Sequence, residues 1–159
     1  MIHFATATEV ANLLTRVRSH LDQYSDVVLC SPFIDDCLLS TIRELAQCAP
    51  GNGCGLEIIT STCTADRVFA VISVEGRRRT RVIACPHLHA KFYLAIARKS
   101  TKTEAIVTSA NLTSAGLANN IELGVRITPT TPHGRALFEE LDRFARRLTF
   151  SRSIQWKRQ

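Results

Sequence analysis

HAKFYLAIARKSTKTEAIVTSANLTSAGLANNIELGV, residues 89–125, is the stretch from which the fold and the chemistry of this chain are read. It reads as strand, turn, strand, short helix, strand. His89 and Lys91 are two apart, and in an extended chain residues i and i+2 share a face, which sets an imidazole beside an ammonium. Tyr93 continues that face, while Ala90, Phe92, Leu94 and Ile96 line the other. The next strand, Glu104 to Thr108, runs into Ser109, Ala110 and Asn111, and the one after begins at Ile121 with Glu122 close behind. This order predicts that His89, Lys91, Ser109, Asn111 and Glu122 converge at one edge of a sheet.

Such a set suits attack on a phosphodiester. A neutral imidazole is a nucleophile or base near neutral pH, and its protonated form is an acid. Lys91 supplies a point charge for phosphate oxygens, and Ser109 and Asn111 supply neutral donors. Glu122 is placed to accept from the second ring nitrogen of His89 and so hold its tautomer. No cluster of carboxylates suggests a site for divalent cations, so the expectation is chemistry without a metal or other cofactor.

H-x-K at 89–91, S-x-N at 109–111 and N-x-E-x-G-V at 120–125 together resemble the phospholipase D superfamily and its HKD half-site. The directly matching residues span about a quarter of the chain. Two positions depart from the family pattern: Ile96 stands where an Asp is usual, and Thr108 where a Gly precedes the Ser. Loss of that Asp resembles the branch holding metal-independent restriction endonucleases and the nuclease domains fused to helicases, whose motif is His, Lys, Asn and Glu. The resemblance implies an α/β fold with catalysis through a covalent phosphohistidine. Only one such half-site is present, and similar single-motif members are dimers, so the expected assembly is a homodimer with one shared active site on its twofold axis.

The bulk composition fits this reading. With 159 residues the chain is expected to be a single domain, residues 1–159, with a sizeable core. Hydrophobic residues make up 45% and charged residues 21%, and the net charge of +6 favours a polyanionic partner, nucleic acid and DNA in the first place. The first twenty residues carry Glu9, Arg16 and Arg18 in an amphipathic pattern unlike a signal peptide, and no run reaches the roughly 20 apolar residues of a membrane span. A cytoplasmic protein with no membrane partner is expected. The six cysteines form no C-x-x-C and are read as reduced thiols.

Elsewhere the pattern alternates helix and strand. Thr6 and Glu9 make a capping box for a helix over 7–23, and Asp26 to Phe33 is a buried strand. Asp35 and Asp36, a carboxylate pair that catalysis could also use, are read as capping a helix from Cys37 to Ala49, with 50–53 as a turn. Leu56–Thr60 is a strand, 64–74 a helix with a strand as the alternative, and Thr80–Cys85 a strand. Thr131 and Pro132 open a final helix, and a basic tail follows with Arg152, Lys157 and Arg158 around Trp156. The predicted fold is α/β: a mixed sheet of about six or seven strands with helices on both faces.

Arg77, Arg78 and Arg79 either track a phosphate backbone or form a solvated loop, and Asn120 either touches substrate or serves a turn. All four are candidate substrate-binding residues. Three functions follow: a DNA endonuclease of restriction or defence type, a lipid-directed phosphodiesterase or phosphatidyltransferase, and a catalytically silent nucleic-acid-binding module. The charge and the missing Asp favour the first.

Overall fold

The strands carry two apolar sets, one for each face. The computed structural model describes residues 1–151 and 154–155. Its elements in chain order are β1 (Ile2–Ala5), α1 (Ala7–Ser19), β2 (Tyr24–Cys30), α2 (Asp36–Asn52), β3 (Gly55–Thr60), α3 (Thr62–Val71), β4 (Thr80–Ala84), β5 (Phe92–Ala97), β6 (Glu104–Thr108), β7 (Gly124–Ile127), α4 (Pro132–Ser151) and β8 (Ile154–Gln155). In β2, Val27 and Leu29 join one buried cluster, while Val28 and Cys30 join the other. Tyr93 and Ala95 against Phe92 and Leu94 repeat that division in β5. Both faces of the sheet are therefore covered, as near-continuous apolar strands require.

All eight strands form one mixed sheet in the order β1-β7-β6-β5-β2-β3-β4-β8. The pairs β2–β3 and β3–β4 are parallel, and the others are antiparallel. The count exceeds the expected six or seven by the two-residue pairing of β8 with Ile83 and Ala84. Helices α1, α2 and α3 pack on one face through Val10, Leu13, Leu39, Ile42, Leu45 and Val68, and α4 covers the other through Phe138, Leu141 and Ala145. Among the described residues no helix is long and apolar enough to cross a membrane.

Local chemistry explains most boundaries. The Glu9 carboxylate accepts from Thr6 N (2.7 Å) and Oγ1 (2.6 Å), so the expected acid at the start of α1 is in place. Asp35 is the N-cap of α2 and accepts from Leu38 N at 3.1 Å. Thr131 Oγ1 accepts from Gly134 N at 3.2 Å, ahead of Pro132 as the first residue of α4.

Two features depart from expectation, and one open choice is decided. Helix α2 runs through Pro50 to Asn52 and ends only at Gly53, whose φ of 62° is left-handed. A proline in the last turn removes a single intrahelical bond, too little to end a helix whose Leu45, Ala46 and Ala49 are buried. Strand β1 was not anticipated, because only Ala5 of its four residues is buried and its partner β7 is remote in sequence. Residues 62–71 are a helix, which settles the helix–strand ambiguity there. The basic tail around Trp156 lies outside the described residues, apart from the backbone of β8.

The polarity of the strands determines what the sheet presents. The carboxyl ends of β2, β3, β4 and β6 and the amino ends of β5 and β7 lie at one end of the sheet, as the registers Cys30↔Phe92, Thr60↔Ala84, Phe92↔Val107 and Thr108↔Gly124 require.

Candidate active site

His89 and Lys91 sit at that end, in the three residues before β5 rather than within it. The ladder continues into them through Thr108 N donating to the Lys91 carbonyl at 3.1 Å. His87, two residues earlier, has a φ of 60°, so the chain turns through a left-handed residue just before it reaches His89. Lys91 Nζ donates to the His89 carbonyl at 3.0 Å, which folds the ammonium back over the histidine's own backbone. His89 is exposed and Lys91 is half-buried.

Beneath this turn Cys30 is fully buried, with Sγ 3.6 Å from the Ala90 carbonyl. Burial pushes its thiol up to about 12, so it is an inert filler. Tyr93, on the same side as Lys91, is also fully buried, and its hydroxyl donates to the Ala110 carbonyl at 2.8 Å. Burial raises its phenol well above the ordinary range. Tyr93 is therefore a clamp on the 109–111 turn.

Ser109 and Glu122 meet directly across the continued β6–β7 ladder. Ser109 N donates to the Leu123 carbonyl at 3.0 Å, Leu123 N donates to Ser109 Oγ at 3.2 Å, and the serine hydroxyl donates to Glu122 Oε2. The other carboxylate oxygen accepts from Asn120 Nδ2 at 3.2 Å. The expected bond from the His89 ring to Glu122 is not formed within one chain. Strand β6 lies between β5 and β7, two strand spacings or about 10 Å across, and Ser109, directly after β6, takes the carboxylate instead.

Asn111 is placed from below. Ser31, fully buried just after β2, accepts from Leu112 N at 3.0 Å and donates to the Phe33 carbonyl at 2.7 Å, with Asn111 Oδ1 3.5 Å away. A hydroxyl has one proton, and the shorter contact to Phe33 claims it. Asp35 Oδ2 accepts from Ser114 N, so the cap of α2 also anchors the loop after Asn111. Desolvation raises the Asp35 carboxyl, but hydrogen bonds from Ser114 and Leu38 outweigh it and hold the group low. The turn at Ala115–Asn119 closes over this loop at Gly116, where a Cβ would stand 2.6 Å from the Asn111 carbonyl. Ser31, Tyr93 and Gly116 were not singled out as positioning residues from the sequence. The one available signal was a Ser directly following an apolar strand.

The structure thus brings His89, Lys91, Ser109, Asn111, Asn120 and Glu122 to one end of three adjacent strands. It does not bring Arg77, Arg78 and Arg79 there. They precede β4, at the opposite end of the sheet, where Arg77 lies 3.9 Å over the Phe69 ring and Arg78 pairs with Glu75. Ile96, at the position where an Asp is usual, is also remote, five residues or roughly 16 Å along β5 from Lys91. It packs toward α4.

The site is an open ledge, and large apolar side chains stand uncovered beside it: Ile121 is 104% exposed and Leu123 65%. Among the described residues no three His, Cys, Asp or Glu side chains are grouped to hold a metal ion. The six cysteines are free thiols.

Neither a protein-family model nor a curated protein matches the chain. Solved structures do. Nuc from Salmonella typhimurium, a phospholipase D family member, superposes with a TM-score of 0.55 at 14% identity, over 91% of this chain and 94% of Nuc. NucT from Helicobacter pylori gives 0.51 at 16% identity, over 88% and 94%. TrmBL2, an archaeal chromatin protein with a novel mode of DNA binding, gives 0.51 at 15% identity, over 92% of this chain and 52% of TrmBL2. The fold is that of the phospholipase D family.

Proposed function

We propose that this chain, which has the phospholipase D fold, is a metal-independent phosphodiesterase, a DNA endonuclease of restriction or defence type whose site is completed by a second copy. The observation that carries the reading is the assembly of His89, Lys91, Ser109, Asn111 and Glu122 from three separate segments at one end of β5, β6 and β7. The net charge of +6 suits a polyanionic substrate.

In the proposed reaction a ring nitrogen of one His89 attacks phosphorus. The P–O bond to the leaving oxygen breaks as that oxygen takes a proton from the second copy's His89, leaving a phosphohistidine. Water then attacks phosphorus, gives its proton to the second His89, and displaces the first. Lys91 and Asn111 hold the non-bridging oxygens as charge builds on them. Ser109 and Asn120 position Glu122, which stabilises the positive charge of the imidazolium across the interface. That role accords with a carboxylate already held by its own chain and a histidine whose ring has no hydrogen-bond partner among the described residues. The exposed Ile121 and Leu123 flank Glu122 and supply apolar surface for the second copy to cover.

Incubation with plasmid DNA in EDTA tests this. Cleavage is expected in wild type, and His89→Ala is expected to lose on the order of 10⁴-fold or more. Undiminished cleavage by His89→Ala refutes the reading. The likeness to TrmBL2 favours one rival, a silent DNA-binding module. Salt-sensitive DNA retention with no cleavage by wild type would select it.

A further inference from the structure

The opposite end of the sheet holds a second polar constellation that the proposed chemistry does not use. Glu104 opens β6, and its carboxylate is 4% exposed. Arg16 of α1 reaches one of its oxygens at 2.6 Å, and Arg126 of β7 reaches the other, also at 2.6 Å. These three side chains line a cavity of about 360 Å³ with Lys102, His20, Gln23 and Tyr24. Three basic side chains and a single carboxylate therefore line one cavity.

One cation is enough to neutralise a buried carboxylate. Here two guanidiniums are committed to it, each through one nitrogen, and both remain about two-fifths exposed. Arg16 also hydrogen-bonds the Tyr24 side chain, while among the described residues the Arg126 guanidinium has no acceptor other than Glu104. Lys102 Nζ is held to Gln23 Oε1 at the rim, which keeps a third cation over the cavity. Glu104 thus acts as a strut that holds two planar donor forks in fixed positions, and such preorganisation lowers the cost of binding. Guanidinium forks match tetrahedral oxyanions, and the surplus of two positive charges suits more than a monocarboxylate. The volume lies at the small end of ligand pockets.

We propose that this cavity is a binding site for a compact anion carrying one or two phosphoryl groups, remote from His89. Strand β5 alone, with six residues, separates the two ends by roughly 20 Å, so the site is distinct from the ledge.

Calorimetric titration of the full chain with pyrophosphate and with inorganic phosphate, at constant ionic strength, tests it. Saturable binding of one anion per chain is expected, unchanged in His89→Ala and weakened roughly tenfold or more in both Arg126→Gln and Lys102→Met. Lys102→Met leaves Glu104 and both its arginines in place, so its result does not depend on how Arg126→Gln folds. No saturable binding, or equal binding by wild type and both variants, overturns the site. Binding lost in His89→Ala also overturns it, since the anion would then sit on the ledge. A short oligonucleotide that outcompetes pyrophosphate and is itself lost in Lys102→Met overturns the assignment to a small anion.

Discussion

The two ends of the sheet treat charge in opposite ways. At the far end, Glu104 is buried and both its oxygens are matched by guanidiniums from α1 and β7, so the acid is settled within one chain. At the near end, His89 is exposed, Lys91 donates to a backbone carbonyl, and Glu122 is held by Ser109 and Asn120 while the histidine it was expected to orient stands two strands away. The far end contributes to folding through ionic bonds already made. The near end keeps its imidazole and its carboxylate apart, each open to something outside the chain. What is rigid at the near end lies one layer down: Ser31, Tyr93 and Gly116 fix the loop that carries Asn111.

This contrast predicts that damage to the near end costs activity more than stability, and damage to the far end the reverse. Gly116→Ala pushes a methyl group against the Asn111 carbonyl and amide, and the backbone has to move. A loss on the order of 10²-fold in DNA cleavage is expected, with only about 1–3 kcal/mol lost in urea denaturation. A variant that loses stability and keeps its rate would break the contrast at this end. Glu104→Gln leaves both guanidiniums free to turn to water, and is expected to cost about 2 kcal/mol in the same melt. The rate per folded molecule should not change; a fall in rate at full folding would break the contrast at the other end.

The smallest effect concerns thiols. Cys63, exposed at the start of α3, is lowered by hydrogen bonds from Ser61 and then Thr64, whereas burial pushes Cys30 up to about 12 and Cys54 to about 11. A depressed pKa means more thiolate at a given pH. Alkylation at pH 7.5 followed by mass spectrometry should therefore label Cys63 well before Cys30 and Cys54. Early labelling of Cys30 would mean that the turn above it opens, and the rigid layer beneath His89 would be in doubt.

Much of this was legible in the residues because the signals are local. The span Glu104–Thr108 carries a short apolar run between turns and is strand β6 as expected. Thr6 with Glu9, Asp35 and Thr131 mark helix starts by chemistry that acts within three residues. The shared edge of His89, Lys91, Ser109, Asn111 and Glu122 followed from strand order alone. What stayed hidden depends on contacts between distant segments. Glu104 reads as an ordinary strand-end acid until Arg16 arrives from 88 residues away. The run at 77–79 was assigned by charge, yet its place is decided by the direction of β4, which carries it away from His89. The partner of Glu122 was misjudged because adjacency in a motif is not adjacency in a sheet: β6 intervenes.

The central claim is that one chain supplies half of a site. Wild type mixed with His89→Ala in varying ratios at constant total protein, after subunit exchange, tests it through plasmid cleavage in EDTA. If both histidines of a dimer are needed, activity falls as the square of the wild-type fraction. Activity that falls only in proportion to that fraction would mean that each chain works alone, and would contradict the account.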